Sequence, residues 1–410
     1  MTYYRIEDLC SFAKGASVPR DRMYNKGDYQ YLHYGDLYKG HELYIDIEKP
    51  QKDIPFISAD EKLRDNQFVD DGDIIYILTS ETIEDLGKAL CLSNPNHRVV
   101  VAGTETTIMR VVQDDIVESA WLNYLLQTSR FKKTIRQYVT GMKVFRVHPR
   151  DIGRITVDVP SLEIQQKTVS ILDAIHKKIR INQQINDYLD EYATALFEEW
   201  LSYCTEITTI GDIAQEILDY TKLDEPLVKL LNSSDVTEGV FPNPNPVENK
   251  NLKGHFKKRF KKHDILYSEI RPRNHHYGYV MFDADDWVST TRLMVIRSRP
   301  EKIFSGLLYY YLKSKPVTDE FTLKTETRSG TFPQGKYIDM AAIEVPFSPV
   351  VEQVGIAESI AATLGAIYAN QIENLRLAEL RDALLPKLMS GEIDVSQVDV
   401  TQLNNHLADC

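Results

Sequence analysis

The sequence predicts a mixed α+β protein built as a pseudo-twofold internal repeat, with two globular domains separated by two long antiparallel α-helices. The first observation is a polar segment, Asn182-Gln183-Gln184-Ile185-Asn186, that recurs 188 residues later as Asn370-Gln371-Ile372-Glu373-Asn374. The second is that apolar residues around both segments recur at steps of three and four in the same register, which is typical of a helix seam. The third is that matching short apolar runs precede both helices in the same order.

The repeat divides the 410 residues into five segments. We expect a globular domain over 1–160, a long helix within 161–204, a second globular domain over 205–347, a second long helix within 348–390 and a tail over 391–410. At 1.5 Å per residue, a helix of roughly 40 residues is about 60 Å long. The alternative is two unrelated amphipathic helices, each packed on its own domain, and the shared register argues against it.

Each globular domain shows the same succession of elements: two strands, a short apolar helix and a last strand that ends with a proline. The corresponding pairs are 72–76 with 263–267, 106–111 with 290–295, 122–126 with 307–311, and 157–160 with 343–346. The long helices then follow over 162–203 and 350–389. Pro386 falls near the end of the second helix, where it marks the last turn or kinks the helix.

Four asparagines occupy seam positions where leucine would stabilise a helix pair more. They are Asn182, Asn186, Asn370 and Asn374. A buried polar seam residue lowers stability but fixes the register and orientation of the helices. We therefore predict that these amides set the register of the helix pair. The alternative is that the stripe faces water at this point.

Cysteine usage and hydropathy favour a soluble cytoplasmic protein. Cys10, Cys91, Cys204 and Cys410 form no C-x-x-C pair, which argues against a zinc site and against a disulfide framework. The N-terminus has no apolar signal core, and we expect no apolar run of about 18 residues that would span a membrane.

The net charge of −12 is distributed unevenly, with two basic segments at 130–150 and 253–263 that contain no acidic residue. A locally basic face attracts phosphates even in an acidic protein, because salt screens charges beyond about 10 Å. The alternative is an ordinary solvated face.

The ordered segments resemble a known family. They are 14–16 followed by 20–25 and 31–37, then 264–272 with Asn274, the glycines Gly141 and Gly330, and the helix entrance Pro346, Glu352 and Gln353. Together they resemble the specificity (S) subunit of Type I restriction–modification systems. The first copy departs from the pattern, since Pro160 is followed by Glu163-Ile164-Gln165-Gln166, with Gln165 aligned to Gln353.

The resemblance implies that each globular domain is a target-recognition domain that reads half of a bipartite site in double-stranded DNA. The helix pair would act as a ruler between the halves. It further implies a complex with two methyltransferase (modification) subunits and with restriction (motor/nuclease) subunits. S-adenosylmethionine, ATP and Mg²⁺ would be bound by those partners, and this chain would carry no cofactor, no membrane segment and no catalysis of its own.

The residues themselves contain no catalytic pattern. No G-x-x-x-x-G-K loop occurs, and the segment 241–246 lacks the Pro-Pro-aromatic motif of amino-methyltransferases. His275 and His276 are adjacent, but no second cluster lies at ligand spacing, so we expect no metal site. A coiled-coil scaffold with protein-binding globular ends remains the alternative function.

Candidate DNA contacts are the polar residues of loops and basic runs, since Arg, Lys, Asn and Gln read base edges and hold phosphates. In the first domain they are Lys14, Arg20, Arg22, Tyr24, Asn25 and Lys26. In the second they are Lys257, Lys258, Arg259, Arg271, Arg273, Asn274, His275, Arg292 and Arg328. The segment 271–277 is the strongest candidate, because it combines a proline with hydrogen-bond donors and stacking rings.

Overall fold

The computed structural model describes residues 2–38, 40–250, 252–326 and 334–399. The chain divides into two compact units, which we call the first unit (Met1–Lys178 with Ala378–Cys410) and the second unit (Ile179–Leu377). The boundaries cut through both long helices. The sequence-based segments instead treat each helix as a separate spacer.

The first unit combines twelve described strands with short helices and the ends of two long helices. The strands are β1 Thr2–Arg5, β2 Cys10–Lys14, β3 Tyr29–Leu32, β4 Tyr44–Asp46, β5 Phe56–Ile57, β6 Ile74–Ile77, β7 Thr79–Ser80, β8 Ala89–Ser93, β9 Val100–Ala102, β10 Thr106–Val111, β11 Phe145–Arg146 and β12 Thr156–Val159. The helices are α1 Ile6–Leu9, α2 Tyr34–Leu37, α3 Ser119–Gln127, α4 Ser129–Ile135, α5 Pro149–Gly153 and the start of α6 Leu162–Tyr203.

A five-stranded sheet in the order β2-β10-β6-β8-β4 is the centre of the first unit. It is buried on both faces because alternate residues of β6 enter different cores. Ile74 and Tyr76 join the core that includes Trp121 of α3. Ile75 and Ile77 join the core on the other face.

The second unit repeats this plan. Its described strands are β13 Glu206–Thr209, β14 Ala214–Glu216, β15 Leu227–Leu231, β16 Val247–Glu248, β17 Phe256–Lys258, β18 Ile265–Ser268, β19 Tyr277–Tyr279, β20 Trp287–Thr290, β21 Leu293–Ser298 and β22 Glu344–Phe347. Its helices are α7 Ile210–Ile213, α8 Ser305–Lys313, α9 Lys315–Glu326, α10 Tyr337–Ala341 and most of α11 Val354–Met389. The sheet β14-β21-β18-β19 is the counterpart of the first unit's central sheet, and β18 again feeds two cores on alternate residues.

The expected elements are confirmed with one exception. The first long helix has the expected bounds, and the second begins at Val354 after a 3-10 turn over Val350–Gln353. The expected strand at 290–295 is wrong as a single element. A turn interrupts it, so that β20 ends at Thr290 and β21 begins at Leu293.

Two ion pairs and two glutamines give the units the same internal framework. Arg110 forms a bidentate ion pair with buried Asp73 in the first unit, and Arg297 forms an equivalent pair with buried Asp264 in the second. Gln165 and Gln353 each accept a hydrogen bond from a backbone N–H and donate to two carbonyl oxygens at the entrance of a long helix. The alignment of Gln165 with Gln353 therefore matches their contacts.

The seam asparagines contact one another within the second unit. Asn182 Nδ2 donates to Asn374 Oδ1 at 2.9 Å, and Asn370 Nδ2 donates to Asn186 Oδ1 at 2.8 Å. Asn182 also donates to Glu373 Oε2 at 2.7 Å. Since 182 pairs with 374 and 186 with 370, the two helices are antiparallel here.

The helical segment Val350–Met389 is more apolar than the expectation of no membrane-spanning run of about 18 residues. One window of 18 residues is long and apolar enough to cross a membrane by composition alone, and 28% of it is buried inside the protein. Ile360 and Leu364 of this segment pack in the second unit's main core. Core helices of soluble proteins meet the same criterion, so the composition alone does not indicate a membrane span.

Candidate nucleic-acid interface

In each unit part of the candidate set lies at one end of the central sheet. In the first unit this end comprises the last residue of β2 and the first residues of β10, because Lys14 pairs with Thr107. In the second unit it comprises the end of β18 and the start of β21, because Ser268 pairs with Leu293. The segment 271–276 follows β18 after two residues, and Arg292 directly precedes β21.

The first unit's candidates are all exposed on the segment that follows β2. The backbone packs closely against a distant segment at the start of this stretch, because a Cβ at Gly15 would lie 2.0 Å from the carbonyl oxygen of Gly103. Arg22 lies 3.4 Å from Glu61. The side chains of Lys14 and Lys26 have no partner within the part of the chain that the structure describes, so they are available to an external anion.

Arg20 is held by a buried histidine beside it. Its guanidinium lies 3.2 Å from His33 Nδ1 and 3.6 Å from Asp36. Burial, followed by the Arg20 charge, lowers the pKa of His33, and Asp36 offsets part of this. A neutral imidazole can accept a hydrogen bond from the guanidinium, which positions Arg20 at the surface.

The second unit's strongest candidate is a constrained surface loop. Arg271 and His275 both have left-handed backbone conformations, with φ of 47° and 54°, on either side of a 3-10 turn at Pro272–Asn274. A left-handed non-glycine residue costs about 1–2 kcal/mol and persists only where neighbours fix it. Here the backbone N–H of Glu238 donates to the carbonyl oxygen of His275 at 3.0 Å.

Two carboxylates from distant segments face this loop, and a third lies between the loop and β18. Glu326 lies 2.8 Å from Arg273, and Glu238 lies 3.0 Å from His275. Glu269 lies 3.6 Å from Arg292. A phosphate group that contacts Arg273 would displace Glu326, and an exposed pair of this kind contributes only about 0–1 kcal/mol. Glu326 and Glu238 were not predicted as neighbours of the loop, since no local motif links them to it.

The prediction for Lys258 is wrong, because the side chain is 1% exposed. Its Nζ donates to the carbonyl oxygen of Leu293 at 2.8 Å and lies 3.3 Å from Glu216. Lys257 faces solvent, with Nζ 5.3 Å from the ring centre of Tyr220. Arg259 is half-buried and donates to the carbonyl oxygen of Asp285 at 3.3 Å.

The remaining candidates differ in what the structure says of them. Asn274 is exposed, and its side chain has no partner in the described part of the chain. Tyr24 and Asn25 are exposed near the bridge between Tyr24 and Phe56. Arg328 lies outside the described residues.

The described residues offer little to nucleophilic or metal chemistry. Burial raises the pKa of Cys10 and of Cys91 to about 12, so both thiols stay protonated at neutral pH. Within the described ranges, no group of three or more His, Cys, Asp or Glu residues could hold a metal ion.

The repeated sheet, with exposed polar and basic side chains at one end in each unit, defines a duplicated α+β protein. The family model for the Type I restriction modification DNA specificity domain matches residues 1–191 and 208–381. The chain therefore belongs to the Type I restriction–modification DNA specificity family.

Two relatives support the family and the fold. The Type I restriction enzyme HindI specificity subunit of Haemophilus influenzae is 32% identical over 189 residues, which is 45% of this chain and 40% of the relative. The crystal structure of the Type I restriction-modification S subunit from M. genitalium shares the fold, with a TM-score of 0.55, 14% identity and coverage of 94% of this chain and 95% of that one.

Proposed function

We propose that the chain is the DNA sequence-specificity subunit of a Type I restriction–modification enzyme and that it binds a bipartite DNA target. The observation that carries the proposal is the duplicated sheet end with exposed basic and amide side chains in each unit. Two such surfaces on one chain suit a target with two halves that differ in sequence.

The long helices suit the role of a ruler between the two halves. A helix of 42 residues is about 63 Å long. Half-sites read from one face of B-DNA lie about 34 Å apart or a multiple of it. The hydrogen bonds of Asn182 with Asn374 and of Asn186 with Asn370 would fix the register of the pair, because a shift by one helical turn would break both contacts.

We further propose that the chain recruits two methyltransferase subunits and the restriction subunits, and that it works in the cytoplasm. Exposed apolar side chains of the second long helix, Val354 and Leu380, support a protein partner, since exposed apolar patches mark interaction sites. The duplicated framework supports two copies of that partner. S-adenosylmethionine, ATP and Mg²⁺ would be bound by the partners, and this chain would catalyse no step itself.

The test is to map modified bases in cells that express the chain with its modification subunit. We expect one motif of two short fixed halves separated by a gap of constant length. A control with the modification subunit alone should show no motif. A scaffold protein would leave the genome without a motif that depends on this chain, and that result would refute the proposal.

A further inference from the structure

A hairpin of the first unit, over residues 140–146, projects from the same sheet end as the candidate cations. The backbones of Thr140 and Arg146 exchange two hydrogen bonds, at 2.9 and 2.8 Å, and close the hairpin. Its second strand is β11, in which Phe145 pairs with Ser80 and Arg146 with Thr79 of β7. Since β7 follows β6 directly, the hairpin rises next to the end of the central sheet.

The turn of this hairpin depends on glycine. Gly141 has φ of 99°, and a Cβ there would lie 2.0 Å from the carbonyl oxygen of Val144. A larger residue at 141 would therefore open the hairpin. The base is fixed by Arg146, which lies 3.4 Å from Glu105 in the turn before β10. The hairpin is a constrained element with a defined tip.

The tip carries two exposed apolar side chains. The side chain of Met142 is 94% exposed, and that of Val144 is 45% exposed. Methionine at an exposed tip gains nothing for the fold of the unit, because it contacts water and not the core. Flexible thioether side chains adapt well to an irregular binding surface.

The hairpin belongs to the basic run 130–150, in which most cations are not paired with a carboxylate in the described part of the chain. Within the described residues no carboxylate lies at ion-pair distance from five of its cations, which are Arg130, Lys133, Arg136, Lys143 and Arg150. The whole run 130–150 contains no acidic residue. An apolar partner surface would not compensate this charge, whereas a phosphate backbone would.

We infer that the hairpin enters the major groove of one DNA half-site, with Met142 against the base edges and Lys143 on the phosphates. The inference rests on the proposed function and names a recognition element within it. The major groove is about 12 Å wide and admits a two-stranded β-ribbon. An apolar side chain there discriminates bases through contact with the thymine methyl group.

The experiment uses the full chain co-purified with its modification subunit and two duplexes, one with the mapped motif and one with both halves scrambled. Met142→Ala should weaken binding to the motif about tenfold and leave the scrambled duplex unchanged. Lys143→Gln should weaken both duplexes similarly and make the salt dependence shallower by about one unit of slope. The matched controls are Val112→Ala, an exposed apolar residue beyond the opposite end of β10, and Arg5→Gln, an exposed cation on β1.

Each outcome decides the inference. If the wild-type complex does not prefer the motif, the proposed function fails. If it does prefer the motif and Met142→Ala binds like Val112→Ala, the hairpin inference fails while the function stands. If Met142→Ala instead reduces the amount of modification subunit that co-purifies, the tip is a protein contact and the inference is overturned. Unchanged thermal unfolding of the variant excludes a folding defect.

Discussion

The hairpin segment of the first unit and the 271–276 loop of the second occupy equivalent ends of equivalent sheets, but their charges are arranged differently. In the basic run 130–150, which contains the hairpin, most cations have no carboxylate at ion-pair distance within the described residues. In the loop, Arg273 and His275 face Glu326 and Glu238. The framework is thus repeated while the surface is not, which agrees with the proposed target of two halves that differ in sequence. If the second surface binds a phosphate, Arg273 would exchange one ion pair for another.

The largest expected effect concerns the repeated framework. Gln165→Ala and Gln353→Ala each leave a buried N–H and two carbonyl oxygens without partners, so we expect each to lower the free energy of unfolding by about 3 kcal/mol. Urea denaturation followed by fluorescence measures this loss. Gln137→Ala, at an exposed position, is the control. A large loss in one variant and none in the other would show that the two frameworks are not equivalent.

The next effect concerns the loop of the second unit. Arg271→Ala or Arg273→Ala should weaken binding to one half-site about tenfold and leave assembly with the modification subunit intact. Titration of labelled duplexes measures the affinity, and size-exclusion chromatography measures assembly. Lys315→Ala, an exposed cation on α9, is the control. A variant that lost the modification subunit but kept DNA binding would remove the loop from the DNA interface.

A smaller effect separates the two charge arrangements. Glu326→Gln removes the carboxylate that pairs with Arg273 and should strengthen DNA binding about threefold, because an exposed pair of this kind contributes about 0–1 kcal/mol. Glu320→Gln, on the same helix and paired with Lys324, is the matched control. Equal affinities for both variants would mean that the Arg273 pair does not compete with DNA.

The smallest effect is a pH dependence of the first unit. The pKa of His33 is lowered in the folded state, mainly by burial and then by Arg20, so the unfolded chain takes up a proton first as the pH falls. The contribution of His33 to the free energy of unfolding is therefore fully present above about pH 6.5, the pKa of the unfolded chain. It is lost as the pH falls below that value toward the lower pKa of the folded state. Urea midpoints at pH 7.5 and 5.5 should differ less in His33→Gln than in the wild type. An unchanged difference would assign the pH dependence to other groups.

The framework shared by the two units could be predicted from the sequence, because the internal repeat shows which positions correspond. The register of the repeat predicted the bounds of the first long helix and the alignment of Gln165 with Gln353. The structure shows both. A shared offset reports positions that pack or hydrogen-bond in the same way in both copies. These positions keep similar residue types in both copies, so the repeat can be recognised in the sequence.

The surface was harder to predict for physical reasons. Lys258 lies in a basic run that indicates exposure, but strand alternation in β17 places Phe256 and Lys258 on the buried face and leaves Lys257 exposed. Glu326 and Glu238 reach the loop from segments more than 30 residues away, so no local spacing announces them. The basic run at 130–150 could be identified from the sequence. The exposure of Met142 could not, because it depends on the hairpin that the structure shows.

The most direct test of the central claim, that each unit reads one half of the target, is a crossed binding measurement. The affinities of the wild type, Met142→Ala and Arg271→Ala are measured on duplexes in which only the left or only the right half of the motif is scrambled. We expect each variant to lose its discrimination of one half, and the two variants to lose different halves. Loss of the same half by both variants, or equal loss on both halves, would contradict the claim.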